Sequence, residues 1–120
     1  MARILVADDE GSLRRLVRSI LEQEGHEVVE AEDGRFALNA LQKQGPFDVL
    51  LLDLMMPWVD GWEVLRSINL DRPHVIVLTA REDQYSEDRA DKAHEVYRYI
   101  TKPYDPEELI GAVKEAIAAS

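Results

Sequence analysis

The sequence DVLLLD, residues 48–53, sets four consecutive aliphatic residues between two aspartates. A short, uninterrupted apolar run of this kind is typical of a strand that is buried on both faces of a parallel sheet. Residues 3–7 and 74–79 carry similar runs, and residues 27–31 and 97–101 are two further strand candidates. The sequence therefore predicts five strands.

Helical patterns alternate with these strand candidates. Residues 12–24 place apolar side chains at spacings of three and four, and Gly25 follows as a C-terminal stop. Asp33 is expected to cap a second helix that ends at Gly45-Pro46, and a third helix is expected to follow Asp60-Gly61.

The sequence predicts the last helix more clearly than the one before it. The segment between Thr79 and Tyr97 is strongly charged with a narrow apolar edge, so a weakly packed surface helix and a segment that shifts between two positions are both open. The final helix begins at Asp105, with Pro106 in its first turn and Glu108 placed for a capping box. Five helices that alternate with five strands predict an α/β fold with a doubly wound parallel sheet.

Length and composition narrow the class of protein. With 120 residues, the chain is predicted to form a single domain, residues 1–120. It has no cysteine, which excludes disulfides, thiolate metal sites and thiol nucleophiles. Its apolar runs are too short for a membrane span and a signal-peptide pattern is missing, so we expect a soluble, cytoplasmic protein. Fourteen basic against 24 acidic residues give a net charge of −10, which argues against direct nucleic-acid binding.

Polar side chains that could do chemistry follow four of the predicted strands. Asp8 and Asp9 follow the first strand, Asp53 ends the third, and Thr79 and Lys102 mark the ends of the fourth and fifth. In open parallel sheets, sites form beyond the carboxyl ends of the strands, so we expect these five side chains at one edge. Each has an ordinary explanation when taken singly, since aspartates cap helices and lysines are commonly solvated. Their coincidence at one edge favours a functional site.

The residue types at this edge point to metal-assisted phosphoryl transfer. Three close carboxylates repel one another unless a cation or a proton intervenes. Mg²⁺ prefers oxygen ligands, and Asp9 and Asp53 could bind it directly, with Asp8 acting through a water. A carboxylate is also a competent nucleophile toward phosphorus, and Asp53 is the best candidate because its run is expected at the centre of the sheet. Lys102 and the Thr79 hydroxyl could then contact the phosphoryl oxygens.

Four short motifs carry a resemblance to a known family. They are Asp8-Asp9, residues 49–57 with Gly61, Leu78-Thr79-Ala80 and Thr101-Lys102-Pro103. In this order and spacing they resemble a response-regulator receiver domain of two-component signalling, over essentially the full chain. The resemblance implies a flavodoxin-like fold with strand order 2-1-3-4-5. It also implies that the phosphoryl donor is a sensor histidine kinase or a phosphotransfer protein.

The resemblance assigns a role to each residue of the site. Asp53 resembles the phosphoacceptor, Asp8 and Asp9 the acidic metal pair, and the backbone carbonyl of Met55 would be a further ligand of Mg²⁺, for which Mn²⁺ could substitute. Lys102 resembles the lysine that pairs with the phosphoryl group, and the family has a cis bond between this lysine and the following proline. Such a domain is not an enzyme in the ordinary sense, since it catalyses only its own phosphorylation and dephosphorylation.

Thr79 and Tyr99 resemble the switch pair of the family. The resemblance implies that the threonine moves toward the phosphoryl group and that the aromatic ring turns inward. The surface around the fourth predicted helix, the fifth strand and the fifth helix would change as a result.

The chain departs from the family pattern before the last strand. Many members have Gly-Ala-Asp-Asp where this chain has Glu95-Val96-Tyr97-Arg98. Arg98 replaces an acid that DNA-binding members use in dimer contacts, so a monomer and a phosphorylation-dependent dimer both stay open. The output domain or protein is not identified by the sequence.

Other classes of protein fit less well. A phosphatase of the haloacid dehalogenase type would need an acid where Met55 stands, and a flavodoxin would need a polar phosphate loop where Asp8-Asp9-Glu10 stands. The main alternative is a non-phosphorylated pseudo-receiver that acts as a protein-interaction module.

Overall fold

A computed structural model describes residues 2–67, 73–79 and 96–119 of the protein. In chain order its elements are β1 (Arg3–Ala7), α1 (Gly11–Gln23), β2 (Glu27–Ala31), α2 (Gly34–Lys43), β3 (Val49–Asp53), α3 (Gly61–Ser67), β4 (His74–Thr79), β5 (Arg98–Thr101) and α4 (Pro106–Ala118). The helix predicted between Thr79 and Tyr97 lies outside the described residues. The structure therefore describes four of the five predicted helices.

The five strands form one parallel sheet in the order β2-β1-β3-β4-β5, which confirms the predicted topology. All five residues of β3 are buried, as expected for a central strand with a continuous aliphatic run. The register sets Asp53 opposite Leu78, and Thr79 opposite Thr101. The carboxyl ends of β1, β3, β4 and β5 consequently lie side by side, which is the arrangement that the site requires.

Three elements have boundaries that differ by one residue from those predicted. β3 begins at Val49 instead of Asp48, and the Asp48 side chain accepts a hydrogen bond from the backbone N–H of Arg3 at 2.8 Å. β5 begins at Arg98 instead of Tyr97, although the N–H of Tyr97 still donates to the carbonyl of Val75. α1 begins and ends one residue earlier than predicted.

Apolar side chains cover both faces of the sheet. Alternate strand residues such as Val6, Leu51 and Ile76 pack with α1 and α4 on one face. Their neighbours, such as Leu52 and Val77, pack with α2 and α3 on the other face. Because both faces are apolar, the polar side chains of the central strands emerge only at the strand ends.

Three aspartates accept hydrogen bonds from backbone N–H groups at the amino ends of α2, α3 and α4. Asp33 accepts hydrogen bonds from the N–H groups of Arg35 and Phe36, Asp60 from that of Glu63, and Asp105 from that of Glu107. Asp33 and Asp105 are thus the predicted N-caps. Among the described helices, none has the length and apolar character of a membrane span.

Candidate functional site

Three aspartates converge beyond the carboxyl ends of β1 and β3. Carboxylate oxygens of Asp8, Asp9 and Asp53 lie within 4.8 Å of one another. Asp8 and Asp53 are only 1% and 5% exposed, whereas Asp9 is exposed. Asp8 Oδ1 accepts a hydrogen bond from the N–H of Glu10, and Asp53 Oδ1 accepts one from the N–H of Met55. The loop after each strand therefore orients one oxygen of each buried carboxylate.

Lys102, just beyond β5, brings an ammonium group to these carboxylates. Its Nζ lies 3.2 Å from Asp53 Oδ2 and 3.4 Å from Asp8 Oδ2. Its backbone N–H donates to the carbonyl of Thr79 at 2.8 Å, which ties the end of β5 to the end of β4. The bond between Lys102 and Pro103 is cis, as the resemblance implies. One ammonium thus contacts two buried carboxylates, and Asp9 adds a third negative charge nearby.

Burial dominates the titration of this group. Burial raises the pKa of Asp53 to about 6, and the charge of Asp8 adds to this, against the lowering influence of the Met55 N–H and the Lys102 ammonium. Burial disfavours the charged form of Lys102 as well, but the negative charges of Asp53 and Asp8 outweigh it and raise the pKa of Lys102. Lys102 therefore stays an ammonium at neutral pH, while Asp53 titrates close to the physiological range.

The donor set fits a hard divalent cation. Asp8, Asp9 and Asp53 offer carboxylate oxygens, the ligands that Mg²⁺ prefers in proteins. The raised pKa of Asp53 has burial and a neighbouring negative charge as causes, and a cation between the carboxylates would offset both. These three residues could therefore hold a metal ion.

The remaining residues predicted for the site lie at three different depths. Thr79 ends β4 and is buried. Tyr99 is half-buried and packs on the face covered by α2 and α3; it pairs in register with Val77, two residues before Thr79. Thr79 and Tyr99 therefore share one face of adjacent strands. The Met55 side chain is exposed, and its N–H is the group that contacts Asp53.

A cavity of about 330 Å³ lies beside Lys102, and its lining comes from the loops after β1 and β5 and from the first turn of α1: Glu10, Leu13, Lys102, Pro103 and Tyr104. The Tyr104 hydroxyl is buried, and among the described residues it has no hydrogen-bond partner. Burial, followed by the charges of Asp8, Asp53 and Glu10, raises the pKa of Tyr104 to about 12. Nothing marks Tyr104 in the sequence beyond its place two residues after Lys102.

Arg14 of α1 is a second residue that the sequence does not single out. Its Nη1 donates to the backbone carbonyl of Asp8 at 2.8 Å, and its Nε donates to Glu30 Oε1 at 2.8 Å. Its side chain is 13% exposed. In the sequence Arg14 is one of several charged residues in α1, so periodicity alone gives no sign of these contacts.

The loop that follows Asp53 is packed against the start of α2. Trp58 adopts a positive φ of 69°, a conformation that costs a non-glycine residue about 1–2 kcal/mol. Its ring lies 4.8 Å from the Arg35 guanidinium, which also pairs with Asp33. A Cβ at Gly34 would overlap the carbonyl oxygen of Val59, so α2 can approach this loop closely only with glycine at that position.

Comparison with known proteins gives a family match over most of the chain. The family model described as "Response regulator receiver domain" matches residues 4–114. The chain is 41% identical over 113 residues to the transcriptional regulatory protein ResD of Bacillus subtilis, covering 93% of this chain and 46% of ResD. It therefore spans about half the length of that relative. It is 34% identical over 123 residues to the protein PilH of Pseudomonas aeruginosa, covering 98% of this chain and 99% of PilH.

A solved structure shows the same arrangement of elements. The response regulator protein TrrA from Thermotoga maritima, in complex with Mg²⁺ and BeF, superposes with a TM-score of 0.80 at 36% identity. The match covers 97% of this chain and 99% of that chain.

Proposed function

Because the chain belongs to the response regulator receiver domain family, we propose that it is a phosphorylation-activated switch in which Asp53 accepts the phosphoryl group. One observation carries this proposal: the buried Asp53 carboxylate ends the central strand, beside Asp8 and Asp9, and lies 3.2 Å from the Lys102 ammonium. A receiver domain is not a conventional enzyme. We take residues 1–120 to form one such domain.

Asp8, Asp9 and Asp53 would hold Mg²⁺, with the backbone carbonyl of Met55 as a further ligand. When bound, the ion supplies positive charge next to the carboxylates and the phosphoryl oxygens. The oxygen donor set supports this assignment, and so does the similarity to TrrA, whose structure contains Mg²⁺ and BeF. Mn²⁺ could take the place of Mg²⁺ because it prefers the same oxygen ligands.

In the transfer step, an Asp53 oxygen forms a bond to phosphorus while the bond from phosphorus to the donor nitrogen breaks and its electron pair leaves with the donor. Receiver domains accept phosphoryl groups from histidine kinases, so the donor is the phosphohistidine of a sensor kinase or of a phosphotransfer protein. With a pKa of about 6, Asp53 is mainly the nucleophilic carboxylate at neutral pH. The Met55 N–H orients one of its oxygens, and Lys102 provides positive charge beside the other.

Thr79 and Tyr99 form the switch that reports the phosphoryl group. They share one face of adjacent strands, so a shift of the buried Thr79 toward Asp53 alters the space open to the Tyr99 ring. Phosphorylation biases this equilibrium and changes the surface around β5, α4 and residues 80–95, which lie outside the described residues. With a net charge of −10, the domain passes its signal to another protein or domain instead of contacting nucleic acid, as a monomer or a phosphorylation-dependent dimer.

The test is a mass measurement after incubation with a small phosphodonor and Mg²⁺. The wild-type protein should gain the mass of one phosphoryl group, and Asp53→Asn should gain none. Asp48→Asn is the matched control, because Asp48 lies at the opposite end of β3, and it should be phosphorylated like the wild type. If the wild type gains no mass, the pseudo-receiver alternative replaces the proposed function.

A further inference from the structure

Arg14 connects the acidic site to two elements that carry none of its carboxylates. From α1 its guanidinium reaches the backbone carbonyl of Asp8 and the side chain of Glu30 in β2, both at 2.8 Å. The Arg14 side chain is 13% exposed and that of Glu30 is 21% exposed, so the pair is largely shielded from water. Shielded hydrogen bonds between charged groups hold their geometry better than solvent-exposed ones do.

The orientation of the Asp8 carbonyl affects both Asp8 and Asp9. The ladder between β1 and β2 ends at Ala7 and Ala31, and the N–H of Asp8 makes one further bond to the Ala31 carbonyl. The Asp8 carbonyl belongs to the planar peptide that joins Asp8 to Asp9. A donor on this carbonyl therefore fixes the plane from which both carboxylate-bearing residues project.

Glu30 keeps the Arg14 guanidinium in place. Its Oε1 accepts from Arg14, and its Oε2 accepts from Arg18 at 3.0 Å. Burial would raise the pKa of Glu30, but the hydrogen bonds from Arg14 and Arg18 overcome this and lower it. Glu30 is thus a carboxylate at neutral pH, and of its two arginine partners Arg14 is the one that contacts Asp8.

We propose that Arg14, held by Glu30, is a positioning residue that sets the Asp8-Asp9 peptide in the geometry needed to bind Mg²⁺. This inference rests on the proposed function, since it concerns the ion that Asp8, Asp9 and Asp53 would hold. Arg14 does not touch the metal or the phosphoryl group. It acts through the backbone of two ligand residues.

The sign of the effect separates positioning from simple electrostatics. Arg14 is a positive charge near the acidic group, so its removal would strengthen Mg²⁺ binding if charge alone mattered. If Arg14 positions the ligands, its removal weakens Mg²⁺ binding instead. Arg14→Lys separates the effect of charge from the effect of positioning. Lysine keeps the positive charge, but it lacks the planar guanidinium that donates to two acceptors at once.

The experiment is calorimetric titration of Mg²⁺ alone into the wild type, Arg14→Ala, Arg14→Lys and Arg18→Ala. Each variant is titrated well below the midpoint of its own thermal unfolding. Arg14→Ala should raise the Kd for Mg²⁺ about tenfold, as is typical when a group behind a metal ligand is lost. Arg14→Lys should also raise the Kd, by a smaller factor.

Arg18→Ala is the matched control, because it removes the same charge from the same helix and the same Glu30 carboxylate without touching Asp8. Its Kd should stay within about twofold of the wild-type value. An unchanged or lower Kd in both Arg14 variants would overturn the inference while leaving the proposed function intact. If Arg14→Ala does not fold, Arg14→Lys and Glu30→Gln decide by the same criterion. A wild type that binds no Mg²⁺ would count against the metal site of the proposed function itself.

Discussion

At the amino end of β1, Arg3 is surrounded by acceptors, whereas at the carboxyl ends Lys102 is surrounded by carboxylates in excess. The Arg3 guanidinium pairs with Glu27 at 2.7 Å, donates to the carbonyls of Gln44 and Pro46, and lies 4.7 Å from the Phe47 ring. The Arg3 and Glu27 side chains are partly exposed, and the two charges pair with each other. The amino edge therefore holds β1, β2 and the start of β3 together.

At the carboxyl edge, by contrast, negative charges exceed positive charges. Asp8, Asp9 and Asp53 outnumber the Lys102 ammonium, and two of the carboxylates are buried. Burying charges without full compensation costs stability, as the pKa of Asp53 at about 6 records. Charge therefore stabilises the fold at one end of the sheet, while the other end keeps an excess of negative charge that can bind a cation and a phosphoryl group.

The strongest way to test this contrast is to remove the cation from each edge. Lys102→Ala should slow phosphorylation by a small phosphodonor about 100-fold or more, because the developing charge on the phosphoryl oxygens loses its ammonium. Arg3→Ala should leave that rate unchanged and lower the free energy of unfolding by about 1 kcal/mol. Rates from mass spectrometry and urea titrations measure the two effects. Equal rates for Lys102→Ala and Arg3→Ala would contradict the division of roles.

A smaller effect is expected from Mg²⁺ on stability. An ion that binds only the folded state at about 100 times its Kd stabilises the protein by about 2.7 kcal/mol. Asp9→Ala should lose most of this gain, since it removes an exposed carboxylate from the cluster. Asp48→Asn, at the amino edge, should keep it. Thermal unfolding with and without Mg²⁺ provides the measurement, and a midpoint that does not move in the wild type would argue against a metal site.

The smallest expected effect is a dependence of stability on pH when Mg²⁺ is absent. The folded-state pKa of Asp53 is about 6 against an ordinary 3.8, so folding favours its protonated form. Its contribution to stability is complete below about pH 4 and is lost as the pH rises through about 6. Between these limits the wild type should lose about 1 kcal/mol relative to Asp53→Asn, a value reduced from the full shift because solvent screens part of it. Urea titrations of the wild type and Asp53→Asn at several pH values between about 4 and about 6 would measure this loss. The same dependence of the free energy of unfolding on pH in both proteins would contradict the prediction.

The sequence predicts both the fold and the clustering of the carboxylates at one edge of the sheet, for one physical reason. Aliphatic runs such as residues 48–53 bury both faces of a strand, and parallel strands bring their carboxyl ends to one edge. Asp8, Asp9 and Asp53 follow directly from that rule. The burial of Asp8 and the exposure of Asp9 do not, because they depend on how the loop after β1 turns.

The contacts of Arg14 and the backbone conformation of Trp58 are the parts that the sequence does not predict. Arg14 reaches Asp8 and Glu30 across 6 and 16 residues, and α1 contains neighbouring arginines with the same helical preference. The positive φ of Trp58 likewise contradicts the local preference of a bulky residue, so only its packing with Arg35 makes it intelligible. Such features depend on tertiary contacts and not on local patterns.

The Arg3 contacts have shorter sequence separations than the Lys102 contacts, so a growing chain can form them earlier. The partners of Arg3 lie between 24 and 45 residues later in the chain, so all of them exist once Asp48 has been made. Lys102 lies 94 residues after Asp8, and its contacts are among the last that a growing chain can make. A nascent chain that extends only as far as β4 therefore contains every group that contacts Arg3. It also contains Asp8, Asp9 and Asp53, but it does not yet contain Lys102.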